Sequence, residues 1–277
     1  MIRFNIPWYI ISGWHNKAMK HAIPSLERMQ LQFSALSHPG VVRQHNEDAC
    51  HADAQGRFFM VADGMGGYSG GERASQLTVA IMALYLETYW AQTQTPAEVI
   101  QRAIVRANEH LLTEQVQNPV IKDMGTTVVV LALGGGQQGW FCHVGDSRLY
   151  RLRGNHLEQL TQDHTWVAQA IEAGGLSPMQ ARSHPWRHLL TQCLGRDDLE
   201  PVAVHSLTLE PGDCYLLCSD GLTEEVLDWQ IAATLRLMRS PEWAAQTLID
   251  AACKRGGRDN ITALVVQVPK DEVSGDS

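Results

Sequence analysis

Hydrophobic and polar positions repeat with the periods of strands and helices along most of the chain after position 30. Leu31 to Ser37 alternates apolar and polar residues, which is typical of a half-buried strand. Arg57 to Ala62 is a short apolar run that stops at Asp63 and a glycine-rich turn. Two longer segments with apolar residues at helical spacing follow, Glu72 to Trp90 and Pro96 to Gln117. The first part of the chain therefore predicts strands followed by a pair of helices.

The remaining chain predicts more strands and a second pair of helices. Four strand segments separated by Gly-rich or Gly-Asn turns predict an antiparallel meander over 126–133, 139–144, 147–153 and 156–160. A helix is predicted at 164–173, followed by an excursion without clear periodicity at 174–196. Later strands are predicted at 202–209, 214–219 and 261–268, with helices at 228–239 and 242–254. This order predicts an α+β fold in which helical layers cover β-sheets.

The composition is typical of a globular protein and argues against a nucleic-acid-binding or membrane-spanning protein. The chain has 277 residues, of which 44% are hydrophobic and 19% charged, so one large domain is expected. The net charge of −8 provides no basic stripe for nucleic acid. The six cysteines form no CxxC pair and fit reduced core thiols of a cytoplasmic protein. No stretch approaches the roughly 18 apolar residues that cross a bilayer, so no membrane span is expected.

The domain boundaries follow from the two ends of the chain. Residues 1–30 are expected to be a poorly ordered extension, because the apolar run from Ile6 to Trp14 is interrupted by Pro7 and lacks the features of a signal peptide. The globular domain is expected over 31–269, and a polar tail over 270–277.

Acidic residues recur where predicted strands end. Each alone is more often a turn former than a ligand. If the sheets bring these ends to one edge, the carboxylates would crowd together and require cations. Oxygen donors without accompanying His or Cys spacing favour Mg²⁺ or Mn²⁺ over zinc. The residues concerned are Glu47, Asp48, Asp63, Asp146, Asp220 and Asp259.

Such a cation site has a specific chemistry. Two cations about 3.5 to 4 Å apart can share a water, lower its pKa and direct it at phosphorus without a protein nucleophile. Arg43 precedes Glu47 by four residues, and its guanidinium suits two phosphate oxygens. The alternative for Arg43 is a surface ion pair with Glu47 or Asp48.

Seven short motifs, in this order, resemble the PP2C (PPM) family of protein phosphatases, of the bacterial stand-alone type. The resemblance runs from about Ser34 to Val268. It implies a four-layer αββα sandwich, with two antiparallel sheets flanked by helix pairs. The motifs are Arg43-Gln44-His45-Asn46-Glu47-Asp48, Val61-Ala62-Asp63-Gly64-Met65-Gly66-Gly67, Met124-Gly125-Thr126-Thr127, Val144-Gly145-Asp146-Ser147-Arg148, Leu160-Thr161-Gln162-Asp163-His164, Cys218-Ser219-Asp220-Gly221 and Arg258-Asp259-Asn260-Ile261-Thr262.

The resemblance also implies a centre of two Mn²⁺ or Mg²⁺ ions, with a looser third. Carried over by motif, Asp63 bridges the first two ions and the Gly64 carbonyl binds one of them. Asp220 and Asp259 complete the first site, and Glu47 holds waters of the second.

Other roles carry over in the same way. Asp146, together with the aspartate at the start of the Asp220-Gly221 motif, matches the ligands of the third ion. Arg43 grips the substrate phosphate, while Asp48 and Asn260 orient ligands and waters. Residues 165–194, hereafter the flap, correspond to a mobile segment beside the cleft in bacterial relatives.

The sequence departs from the family pattern where relatives have a histidine. Met65 and Tyr68 stand at those positions, which leaves the leaving-group acid open between a metal-bound water and, weakly, Tyr68. His45 and His164 are expected to be surface or loop residues.

The resemblance implies a cytoplasmic monomer that acts on phosphorylated Ser/Thr proteins opposite a cognate Ser/Thr kinase. Two alternatives stay open: an inactive relative that binds phosphoproteins as a scaffold, and a different metallohydrolase such as a nuclease or small-molecule phosphatase.

Overall fold

The structure, a computed structural model, describes residues 31–66, 70–92 and 95–270, which contain eleven strands, seven α-helices and two short 3₁₀ helices. The strands are β1 Gln32–His38, β2 Asp48–Ala52, β3 Phe58–Met65, β4 Gly125–Thr126, β5 Val128–Leu133, β6 Gln138–Val144, β7 Arg148–Arg153, β8 His156–Gln159, β9 His205–Thr208, β10 Cys214–Cys218 and β11 Ile261–Gln267. The helices are α1 Gly70–Tyr89, α2 Pro96–Gln117, α3 Trp166–Glu172, α4 Pro178–Arg182, α5 Asp220–Glu225, α6 Asp228–Arg236 and α7 Pro241–Arg255.

The strands form two antiparallel sheets. The first has the order β1-β11-β10-β7-β8. The second has the order β2-β3-β5-β6-β9, with β4 paired to the end of β3. In the second sheet Asp48 lies opposite Asp63. In the first sheet the last strand, β11, lies between β1 and β10.

Three hydrophobic layers hold the elements together. The two sheets pack face to face through a layer that includes Phe59, Val61, Leu217 and Leu264. Side chains alternate across a strand, so the neighbouring Phe58 and Met60 face the other way and pack beneath α1 and α2. A third layer joins the first sheet to α6 and α7. The predicted αββα sandwich is thereby confirmed.

Local sequence explains why the helices begin where they do. Ser240 accepts a hydrogen bond from the Trp243 N–H at 3.1 Å, and Pro241 occupies the first turn of α7. Thr165 caps α3 in the same way through the Ala168 N–H. The predicted bounds of α2, 96–117, agree with the structure.

One topological prediction is wrong. The four strands predicted as a single meander divide between the sheets, because β6 pairs with β5 in the second sheet while β7 pairs with β8 and β10 in the first. The chain crosses between the sheets at Gly145, whose φ is +100°. A Cβ atom at this glycine would lie 2.5 Å from Cγ2 of Thr127, so a close packing contact fixes the crossing.

Smaller elements differ from the predictions as well. β2 and the short helix α5 were not predicted, because their five and six residues mix polar and apolar side chains without a clear period. The excursion predicted at 174–196 contains α4. The predicted extension 1–30 and the tail, apart from Lys270, lie outside the described residues. Among the helices that are described, none has the length and apolarity to cross a membrane.

Candidate metal centre

Asp63 lies at the end of β3, on the side that faces the other sheet, because it continues the alternation of Phe59 and Val61. Its backbone is fixed from both directions. The Asp63 N–H donates to Oγ1 of Thr127 at 3.0 Å. The Asp63 carbonyl accepts from the Thr127 N–H and from Oγ1 of Thr126, each at 2.8 Å. The carboxylate is therefore presented from a rigid strand end.

Asp48 joins the two sheets beside Asp63. Its Oδ2 accepts hydrogen bonds from Oγ of Ser219 at 2.7 Å and from Oγ1 of Thr262 at 2.6 Å, both of which belong to the first-sheet side. Burial raises the pKa of Asp48 to about 7, although these two hydrogen bonds oppose the shift. Asp48 therefore lies next to the centre, and the sequence did not predict that its partners would be Ser219 and Thr262.

Four carboxylates surround Asp63 closely enough to affect its ionisation. Burial raises the pKa of Asp63 well above its ordinary value, and the neighbouring Asp48, Asp220, Asp146 and Asp259 raise it further. The structure thus brings together acids that are more than 200 positions apart along the chain.

Asp146 belongs to the same cluster. It is 9% exposed, in the turn between β6 and β7. Burial raises the pKa of Asp146 well above the ordinary value. The negative charges of Asp220 and Asp163 raise this pKa further, and the positive charge of Arg148 lowers it. Arg148 is itself paired with Asp163 at 2.6 Å, and its effect on Asp146 is smaller than the effects of burial, Asp220 and Asp163.

Glu47 and the glycines beside it occupy closely packed positions. The Gly64 N–H donates to the Glu47 carbonyl at 3.1 Å. A Cβ atom on Gly64 would lie 2.0 Å from the Gly71 carbonyl oxygen, and one on Gly71 would lie 2.7 Å from Oε1 of Glu47. Burial raises the pKa of Glu47, Arg43 lowers it and Asp259 raises it. Any side chain at position 64 or 71 would therefore collide with neighbouring atoms, so only glycine fits there.

Asn260 holds the loop that carries the predicted phosphate-binding arginine. Its Nδ2 donates to the carbonyls of Pro39 and His45 at 3.0 and 2.8 Å, and its Oδ1 accepts from the Glu47 N–H at 2.8 Å. All three partners lie between β1 and β2. This contact agrees with a positioning role for Asn260. His45 is exposed, as expected, and contributes its carbonyl to this contact.

Arg43 reaches the rim of the cluster from the same loop. Its Nη2 lies 2.9 Å from Oδ2 of Asp259, and about half of its side chain is exposed, 51%. The alternative partners proposed from sequence, Glu47 and Asp48, are not the ones that it contacts. A guanidinium at the rim of a carboxylate cluster has free donors available for a phosphate.

The flap adds residues that the sequence did not single out. Nδ1 of His188 lies 2.9 Å from Oε1 of Glu224 and 3.7 Å from Oδ2 of Asp220. These residues also line a cavity of about 600 Å³ between the flap and α5, which reaches Asp146. His188 has no distinctive spacing in sequence, and Glu224 lies in the unpredicted α5. The contact could be found only in three dimensions.

The donors present suit hard divalent cations. Crowded carboxylates raise one another's pKa, which is the electrostatic situation that bound cations relieve. Oδ1 of Asp48 and Oδ1 of Asp220 are buried and have no hydrogen-bond partner among the described residues. A buried carboxylate oxygen without a donor fits a cation ligand. Tyr68 lies outside the described residues.

Comparison with known proteins agrees with this geometry. The family model described as Protein phosphatase 2C matches residues 41–252. The chain belongs to this family. Protein phosphatase 2C relatives include the serine/threonine protein phosphatase PstP of Mycobacterium tuberculosis, which is 38% identical over 244 residues, 86% of this chain and 45% of that protein. The chain thus spans less than half the length of PstP.

One further 2C-type relative and a solved structure of the PstP catalytic domain match over most of their own length. The serine/threonine phosphatase stp of Listeria welshimeri is 34% identical over 82% of this chain and 92% of that protein. A crystal structure of the PstP catalytic domain in complex with two manganese ions superimposes with a TM-score of 0.79 at 33% identity. It covers 87% of this chain and 99% of that chain.

Proposed function

We propose that this chain is a metal-dependent protein phosphatase that hydrolyses phosphoserine and phosphothreonine. The observation that carries the proposal is the convergence of Asp48, Asp63, Asp146, Asp220 and Asp259 at one edge of the sandwich, with Arg43 at its rim. Membership of the Protein phosphatase 2C family and the naming of relatives as serine/threonine phosphatases support it.

Two ions, Mn²⁺ or Mg²⁺, are assigned to Asp63, the Gly64 carbonyl, Asp220, Asp259 and Glu47. A third, looser ion is assigned to Asp146 and Asp220. Support comes from the oxygen-only donor set and from the two manganese ions of the PstP structure. Bound divalent cations lower the pKa of a coordinated water and neutralise charge on the phosphate.

The side chains around the ions position the reactants. Arg43 exchanges its contact with Asp259 for two phosphate oxygens and so orients the phosphorus towards the cluster. Asp48, held by Ser219 and Thr262, fixes the edge of β2 opposite Asp63. Asn260 fixes the loop that carries Arg43 and Glu47. Attack by water on phosphorus then forms a new P–O bond and breaks the bond to the seryl or threonyl oxygen. The attacking water loses one proton and the departing oxygen gains one, so the products are the phosphate and the free hydroxyl side chain.

The partners follow from the same proposal. Phosphorylated proteins are the substrates, and a cognate Ser/Thr kinase supplies them. Residues 31–269 form the catalytic unit, which acts as a monomer in the cytoplasm.

The test uses the Asp63→Asn variant, with the exposed Asp197→Asn as a matched control. With Mn²⁺, the wild type should hydrolyse p-nitrophenyl phosphate and a phosphothreonine peptide, and EDTA should abolish both activities. Asp63→Asn should lower kcat/KM by at least about 10³-fold, because several kcal/mol of charge stabilisation are lost. Asp197→Asn should retain activity.

Other results of this experiment would contradict the metal assignment or favour one of the alternative functions. Near-normal turnover by Asp63→Asn would remove the assignment of the metal centre. Phosphopeptide binding by a wild type that turns over neither substrate would favour the scaffold. Turnover of the small ester without the peptide would favour a small-molecule phosphatase.

A further inference from the structure

His164 lies where the flap joins the sandwich, and it contacts the turn that carries Asp146. Its Nδ1 accepts a hydrogen bond from the Gly145 N–H at 3.2 Å. Its backbone N–H donates to the Gly145 carbonyl at 3.0 Å. Both polar backbone groups of Gly145 are therefore bound by a single residue. Gly145 is the neighbour of Asp146 and is the point at which the chain crosses between the sheets.

The His164 ring is fixed in the orientation that this contact needs. It stacks on the ring of His143 with centroids 4.4 Å apart and an interplanar angle of 22°. His143 in turn contacts the Gln162 carbonyl through Nε2 at 2.6 Å. Burial lowers the pKa of both histidines, that of His143 to about 4, so the stacked rings are neutral. A neutral ring leaves Nδ1 of His164 free to accept from Gly145.

The same residue also connects to the far end of the flap. The Thr191 N–H donates to the His164 carbonyl at 2.8 Å. Directly beyond it, Thr165 pairs with Leu190 as an isolated bridge, and the Trp166 N–H donates to the Leu189 carbonyl at 2.8 Å. The two ends of the flap are thus joined to each other at His164. A displacement of the flap at its base must act on this residue.

Hydrogen bonds continue from the turn to Asp63. Gly145 packs against Thr127, whose Oγ1 lies 2.7 Å from Oγ of Ser147. The same Thr127 oxygen accepts from the Asp63 N–H. The turn held by His164 is therefore two side chains away from the backbone of Asp63.

We propose that His164 is a positioning residue that holds the Gly145–Asp146 turn through Nδ1 and thereby couples the base of the flap to the carboxylate of Asp146. It acts on the centre through Asp146 and touches no substrate. The effect on ion binding rests on the proposed function, whereas the hydrogen bond to Gly145 does not.

The test compares His164→Phe with His164→Asn in the full chain. Phenylalanine retains a ring that stacks on His143 but provides no acceptor, whereas the Oδ1 of asparagine can replace Nδ1. His184→Phe is the matched control, because His184 lies in the flap itself. Its ring stacks on Trp166 with centroids 4.9 Å apart, and the contacts that place this ring lie within the flap.

The first readout is exchange of the Gly145 amide proton, measured by NMR in the metal-free protein. His164→Phe should accelerate this exchange about tenfold, the factor that corresponds to 1.4 kcal/mol, while His164→Asn and His184→Phe should remain near wild type. The second readout is the affinity for the weakest Mn²⁺ ion, measured as free Mn²⁺ by EPR. It should fall about tenfold in His164→Phe and recover in His164→Asn.

Each outcome of these two measurements supports or overturns the proposed role of His164. Equal exchange in wild type and His164→Phe would overturn the proposal, and so would equal defects in both His164 variants, because the acceptor atom would then be irrelevant. A similar defect in His184→Phe would overturn it too. Faster Gly145 exchange with unchanged Mn²⁺ affinity would overturn the coupling to Asp146. Absence of phosphatase activity with the expected exchange pattern would fail only the proposed function.

Discussion

Replacement of Asn260 by Asp should release the loop that carries Arg43 and Glu47. Asparagine at this position donates to the Pro39 and His45 carbonyls and accepts from the Glu47 N–H. Aspartate keeps the acceptor oxygen but loses both donors. It also adds a negative charge beside a cluster of carboxylates. The variant therefore removes the donor contacts and adds a charge while it preserves the size of the side chain.

The structure permits an estimate of the magnitude. Asn260 is 4% exposed, so water cannot fully replace the lost donors. A carbonyl that loses its buried partner costs about 1–3 kcal/mol, which gives roughly 2–6 kcal/mol for the two. The free energy of unfolding of a domain is about 5–15 kcal/mol. The variant should therefore remain folded but have a clearly lower free energy of unfolding.

Urea unfolding with EDTA present measures this loss without a contribution from metal binding. The matched control is Asn155→Asp in the exposed turn between β7 and β8, which should change the free energy of unfolding by less than about 0.5 kcal/mol. If Asn260→Asp were as stable as Asn155→Asp, the inference that Asn260 holds this loop would be refuted.

Three further predictions concern metal binding, the substrate phosphate and pH. Saturating Mn²⁺ should raise the unfolding midpoint by roughly 5–10 °C in thermal scans, and Asp63→Asn should abolish most of the shift; an equal shift in both would contradict the ligand assignment. Arg43→Ala should lower kcat/KM for a phosphopeptide about 10- to 100-fold, whereas Arg102→Ala, on the exposed side of α2, should not. Burial opposes ionisation of Asp213, but hydrogen bonds from Arg153 and its neighbours lower its pKa below 3.8. Its contribution is therefore present above the unfolded pKa and is lost as pH falls through the lower folded value. Asp213→Asn should cost about 1.5–3 kcal/mol in urea unfolding at pH 7, the range for hydrogen bonds to a charged group, and progressively less as pH falls below the ordinary aspartate pKa; a cost that does not change with pH would exclude the ion pair as its source.

The sequence was sufficient for the elements with a strong period and for the acids at strand ends. α2 was predicted with its observed bounds because 22 residues repeat one apolar face. Asp63 could be placed because an apolar strand stops just before a glycine-rich turn. Features of this kind can be predicted because the residues that determine them are close together in the sequence.

Sheet membership could not be predicted in the same way. Each strand from β5 to β8 has a clear signal, but the sheet that each one joins depends on a single crossing at Gly145. A glycine at position 145 is compatible both with an ordinary hairpin within one sheet and with a crossing between the two sheets. Only its contact with Thr127 in the structure distinguishes these two arrangements. The meander was predicted wrongly for this reason.

Contacts over long sequence distances were also missing from the prediction. Asp48 was expected beside the metals, but its donors, Ser219 and Thr262, lie 171 and 214 positions away, and the motifs that contain them do not predict this pairing. The alternative for Arg43 was an ion pair with Glu47 or Asp48, four or five residues away, whereas its partner in the structure is Asp259, at a separation of 216. Such pairs depend on topology, which periodicity does not encode.

The position of β11 has a consequence for any shortened form of this protein. β11 inserts between β1 and β10, and Asp259 and Asn260 precede it directly. A protease cut or a premature stop just before Asp259 would separate from the rest of the chain the strand that joins β1 to β10, together with a proposed ligand and the residue that holds the Arg43 loop. Such a fragment would lose its fold and its chemistry together, so partial degradation should not yield a phosphatase with altered specificity.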